Sequence, residues 1–231
     1  MLTILLLILG MMPGVAWLIF YLHEDIEHPE PKRLIFYTFL AGALITVFVL
    51  QFQVFVNNWA LARGYEPYSF VSFLLLGGVE ELFKFLAVYL AVSRRKEFDE
   101  PVDAMVYMIV AALGFATVEN VASVFQSSAA LYPSPGPLET TILRFVGATL
   151  LHTLASGVVG YYWGKALAKH GHYSGLIIKG LLIAALLHAI FNYLIIKSEP
   201  IALPLIFLVF VALFIFKDFE KLKHPKENNI I

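Results

Sequence analysis

The chain has 231 residues, 60% of them hydrophobic and only 14% charged, with a formal net charge of −1 and no cysteine. A soluble domain carries about 25% charged residues, so this composition, with a mean hydropathy of +0.80, excludes a water-soluble fold and points to an all-α, polytopic helical bundle forming one integral membrane domain over residues 1–231. The near-zero charge gives no electrostatic ground for a nucleic-acid partner, and the missing cysteines exclude disulfides, thiolate metal ligands and a thiol nucleophile.

A spanning helix needs about 20 mostly apolar residues, and seven stretches qualify, approximately 2–22, 34–56, 69–92, 102–126, 139–163, 175–197 and 200–216. The first contains Met12-Pro13-Gly14, expected to kink or break it. It lacks the basic leader of a cleaved signal peptide, so it is expected to be retained. The charged connector after it and the proline-rich stretch 132–137 are read as solvated links, and the loop histidines His23, His28, His170, His172 and His224 show no metal-ligand spacing. Asp103 opens the fourth span, where a carboxylate favours a helix N-terminus. The last span is short and holds Pro204, expected to interrupt it.

Basic residues alternate along the chain. Lys32 and Arg33 follow span one, Arg94 to Lys96 span three, Lys165 and Lys169 span five, and Lys217 to Lys226 span seven. The other connections carry only Arg63 and Lys197, with Arg144 just inside span five. This asymmetry predicts an outside N-terminus and an inside C-terminus for a multi-pass protein of the cell membrane.

The third span, SFVSFLLLGGVEELFKFLAVYLAV, carries Glu80 and Glu81 at its centre. An ionisable group at that depth costs roughly 2.5–3.5 kcal/mol on insertion scales and persists where it has a task or a partner. Further polar groups sit inside other spans: Glu119-Asn120 in the fourth, His152 in the fifth, His188 with Asn192 in the sixth. A rise of about 1.5 Å per residue puts the glutamate pair and both histidines near the midplane. Glu119 lies toward the outer end, so the shared cavity is expected to open outward. Lys84 stands i+4 from Glu80 and i+3 from Glu81 and can pair with either, leaving the other glutamate to face the cavity. The adjacent Gly77 and Gly78 permit close helix approach.

Such a set supports several chemistries. A buried carboxylate can act as general base or acid, a histidine can shuttle a proton or bind metal, and an asparagine amide can donate to a developing oxyanion. One Glu and two His (Glu80, His152 and His188) also suit zinc with an open position, although no HExxH is present.

EELFK at 80–84, FATVEN at 115–120, His152 and HAIFN at 188–192 together resemble the PrsW family of membrane proteases. That family is grouped with the CAAX prenyl-protease-like and bacteriocin-processing membrane proteins, whose patterns are EExxxR, FxxxH and Hxxx(N/D). Here Lys84 stands one residue earlier than that Arg, and Glu119 stands where FxxxH places its His. The resemblance implies a glutamic-type intramembrane endopeptidase needing no cofactor, acting within the lipid bilayer on a membrane-anchored protein near the outer side. It also implies a single-span anti-sigma factor, at its first cut, as a substrate.

On this expectation Glu80 or Glu81 polarises a water, with Glu80 preferred. His152 or Glu119 assists the base, His188 and Asn192 stabilise the oxyanion, and Lys84 and Asn120 support the set. The alternatives are a zinc protease with Glu80, His152 and His188 as ligands, and a proton-coupled transporter, which also places carboxylates and His at the midplane.

Overall fold

The computed structural model describes residues 1–24, 29–129, 135–168, 174–198 and 200–223. His28, His170, His172, His224 and part of the proline-rich stretch lie outside them. Among the described residues the chain is helical throughout, with eight helices: α1 (Leu2–Glu24), α2 (Lys32–Ala62), α3 (Phe70–Val92), α4 (Asp103–Ala129), α5 (Pro137–Val146), α6 (Ala148–Ala168), α7 (Ser174–Lys197) and α8 (Ala202–Lys223).

The segments α1, α2, α4, α5 with α6, α7 and α8 are each long and apolar enough to cross a membrane. Helix α3 has the length, 23 residues, but carries Glu80, Glu81 and Lys84. Three of the predicted boundaries need correction. Pro13 sits inside α1 without ending it. Pro204 falls in the first turn of α8, where its missing N–H has no helical partner to lose, so α8 runs 22 residues rather than stopping short. The fifth span is two helices, broken at Gly147 (φ −112, ψ −90).

Helices α4 and α6 form the central pair. Their sequences show why. Both lack a continuous polar face and are rich in small residues, and such a helix belongs in the interior; α4 is buried continuously from Asp103 to Thr117. Helices α1 and α2 flank α4, α3 joins α2 to α7, and α7 and α8 cover α6. Close packing at α2–α4 depends on two glycines. A Cβ on Gly42 would lie 1.9 Å from the Ala111 carbonyl oxygen, and one on Gly114 would lie 2.0 Å from that of Phe39. With no hydrophobic drive between helices in lipid, such backbone approach supplies the packing energy.

The outer faces stay apolar. Ile4, Ile8, Phe48, Phe55, Phe210 and Phe214 are all more than half exposed, a surface suited to acyl chains and not to water. At the start of α4, Asp103 accepts from the backbone N–H groups of Asp99 and Glu100 at 2.9 and 2.8 Å. It therefore fastens the segment ahead of its helix, a reach-back that satisfies donors upstream of the first turn.

Candidate active site

The polar groups in the spans converge on one centre built from α3, α4, α6 and α7. On α3, Glu80 and Glu81 diverge by about 100° and meet different partners. Glu81 is fully buried and saturated: Oε1 accepts from Lys84 Nζ at 2.5 Å and His188 Nε2 at 2.8 Å, and Oε2 accepts from Ser156 Oγ at 2.7 Å. Glu80 Oε1 accepts from Gln53 Nε2 at 2.7 Å, while Glu80 Oε2 is buried with no hydrogen-bond partner among the described residues. Lys84 thus holds Glu81 and leaves Glu80 as the open carboxylate.

The histidine tautomers follow from their neighbours. His152 Nε2 lies 2.9 Å from Glu119 Oε2 and His188 Nε2 lies 2.8 Å from Glu81 Oε1. An ionised carboxylate only accepts, so each Nε2 carries the proton and each Nδ1 keeps its lone pair. Both Nδ1 atoms face the same orphaned oxygen: Glu80 Oε2 is 3.8 Å from His152 Nδ1 and 3.7 Å from His188 Nδ1. Three acceptors therefore converge in the buried interior. Among the described residues the donor that reaches one of these three atoms is Lys84 Nζ, 3.1 Å from His152 Nδ1.

Charge points the same way. Glu81 is paired with Lys84 and Glu119 with Arg144, whose Nη2 donates to Glu119 Oε2 at 3.1 Å. Among the described residues no Lys or Arg bridges Glu80. An unpaired buried charge costs heavily, so the centre has room for a further cation.

Glu80, His152 and His188 each offer one ligand atom, and these lie within 4.8 Å of one another. Tetrahedral zinc with bonds of about 2.0–2.2 Å places its ligand atoms roughly 3.3–3.5 Å apart, and the two Glu80–histidine edges, at 3.7 and 3.8 Å, come close to that spacing. Each histidine also donates its other ring N–H to a carboxylate, the arrangement that fixes ring orientation and raises ligand basicity.

Asn120 accepts from Arg144 and donates to Thr149 Oγ1 at 2.9 Å, tying α4, α5 and α6 together above the centre. Among the described residues Asn192 makes no hydrogen bond to the centre. It is half-buried one turn along α7 from His188, where it lines a cavity of about 440 Å³ with Arg144, Gly147 and Phe191.

Sequence reasoning missed Gln53, Ser156 and the site role of Arg144. Ser156 stands i+4 from His152 and so on its face. Gln53 and Arg144 are polar groups inside apolar stretches, the same signal that singled out the glutamates. The close approach expected at Gly77 is present: a Cβ there would lie 2.5 Å from His188 Cβ.

Fold and site together define a polytopic helical membrane protein with a buried glutamate–histidine centre. Its sequence matches the profile of the "PrsW family intramembrane metalloprotease" over residues 30–216, so the chain belongs to the PrsW family. Among curated relatives, Protease PrsW of Geobacillus kaustophilus is 31% identical over 193 residues, 82% of this chain and 79% of the relative. Protease PrsW of Oceanobacillus iheyensis is 29% identical over 222 residues, 96% of both chains. That of Bacillus subtilis is 30% identical over 205 residues, 87% and 88% of the two chains. No solved structure matches the chain.

Proposed function

We propose that the chain is a metal-dependent intramembrane endopeptidase in which Glu80, His152 and His188 bind a divalent cation. The observation that carries this reading is the orphaned Glu80 Oε2 facing two Nδ1 lone pairs. Imidazole nitrogen and carboxylate oxygen without thiolate suit zinc, with a fourth position open. The metalloprotease in the family's description agrees with it.

When bound, the ion would act as a Lewis acid toward water and the scissile carbonyl. The chain's own residues do the rest. Glu81, held by three donors, orients His188 and is not free to take a proton. Glu119 is better placed: its side chain is 21% exposed, and Oε1 accepts no hydrogen bond among the described residues. Glu119 would take the proton from the attacking water and deliver it to the leaving amine. Asn192 would bind the substrate main chain from the neighbouring cavity. The substrate would be a membrane-anchored protein cut near the outer side, with a single-span anti-sigma factor as the implied case.

The same orphaned oxygen supports a second reading, the glutamic mechanism. In a metal-free centre Glu80 itself would take the proton of water, and His188 would bind the oxyanion only once its Nδ1 is protonated as well, with Asn192 reaching in from the neighbouring cavity. One experiment separates the two. Purified protein is assayed for metal content and for cleavage of single-span substrates, with and without chelator, beside Glu80→Gln. Cleavage abolished by chelator and restored by zinc supports the metal centre. Cleavage that persists in metal-free protein but is lost in Glu80→Gln establishes the glutamic mechanism instead.

A further inference from the structure

Lys84 is fully buried, and charge compensation of Glu81 explains only half of its geometry. Its Nζ also lies 3.1 Å from His152 Nδ1 and 4.8 Å from the centre of the Phe115 ring. Since His152 Nε2 carries the proton it gives to Glu119, Nδ1 is an acceptor with a single lone pair. An ammonium N–H and a metal ion cannot both use it.

We propose that Lys84 is an internal competitor for the metal site. Without metal it donates to His152 Nδ1 and holds the ring in its binding orientation. With metal it withdraws onto Glu81 and the face of Phe115. The environment suits both positions. Glu81 Oε1 already holds Nζ at 2.5 Å, so the ammonium keeps a carboxylate partner when it leaves the ring, and the π face of Phe115 offers a second favourable surface. The competition has a cost and a use. A positive charge beside the third ligand lowers affinity for a divalent cation. It also supplies a donor that keeps one of three converging acceptors satisfied while the site is empty, which an apolar residue would not do.

The inference rests on the metal reading above, and the test keeps the two apart. Zinc affinity is measured by competitive chelator titration of detergent-purified wild type, Lys84→Met and Lys84→Gln, with thermal unfolding recorded in chelator and in zinc. Lys84→Met removes donor and charge. Lys84→Gln removes the charge while keeping an amide for Glu81, and it serves if the Met variant does not fold. The expected result is zinc binding at least about tenfold tighter in either neutral variant, by removal of a competing cation, together with a lower unfolding temperature in chelator and a larger upward shift on adding zinc. Unchanged or weaker zinc binding in the neutral variants overturns the proposal while leaving the metal centre standing. Wild type that binds no zinc overturns both.

Discussion

Gly77 of α3 lies against His188 of α7 so closely that a methyl group on residue 77 would stand 2.5 Å from His188 Cβ and 3.1 Å from Cγ. The neighbouring Gly78 has only Ala185 Cβ near it, at 3.6 Å, an ordinary contact. The two glycines make a matched pair. Gly77→Ala should cost about 1–3 kcal/mol by overpacking and displace His188 from the centre. Gly78→Ala should be neutral or slightly stabilising, since alanine gains up to about 1 kcal/mol of helix propensity over glycine. Unfolding in detergent and substrate cleavage for both variants check this. Equal effects would mean that α3–α7 spacing does not position His188.

His152 and Arg144 both donate to Glu119 Oε2, at 2.9 and 3.1 Å. Glu119→Gln should weaken zinc binding about 10–100-fold, the usual effect of losing a carboxylate behind a ligating histidine. It should also lower kcat further than affinity explains, because in the proposed mechanism Glu119 would handle the proton as well. Arg144→Gln should show the smaller affinity change of the two, since Glu119 still reaches His152 without it. Zinc titration and single-turnover cleavage separate these effects.

Ser156 is the sole described donor to Glu81 Oε2. Ser156→Ala leaves a buried carboxylate oxygen unsatisfied, at a cost of about 1–3 kcal/mol, while Ser156→Thr keeps the hydroxyl. Thermal unfolding should rank wild type and the Thr variant above the Ala variant. If the Ala variant is as stable as wild type, Glu81 has another source of hydrogen bonds.

Gln53 donates to Glu80 Oε1 and so fixes which oxygen of Glu80 turns toward the histidines. Gln53→Leu should leave the fold intact and reduce kcat more than it raises KM. A pure KM effect would place Gln53 in substrate binding instead.

The helical bundle was legible because hydropathy acts over whole spans, and the centre because Glu80, Glu81, Glu119, His152 and His188 are costly where they lie. The break at Gly147 was not legible. The apolar pattern runs straight across it, and nothing in the composition of 139–163 separates a bent span from a straight one. The pairing of Lys84 with Glu81 was open for a different reason. Both glutamates are one turn from it, and the choice is made by Ser156 and His188, which also bond Glu81. Asn192 shares a helix face with His188, yet α7 carries it past the centre and into the neighbouring cavity.

Helix α3 carries Glu80, Glu81 and Lys84 near its middle, and the partners of Glu81 outside that helix come from later in the chain. Lys84 neutralises Glu81 from within the helix, but Ser156 and His188 follow that glutamate by 75 and 107 residues. During synthesis the third span therefore reaches the bilayer well before the groups that satisfy its carboxylate exist. In the folded chain two of the three donors to Glu81 come from α6 and α7. The set of partners around Glu81 is complete only once α7 has been made.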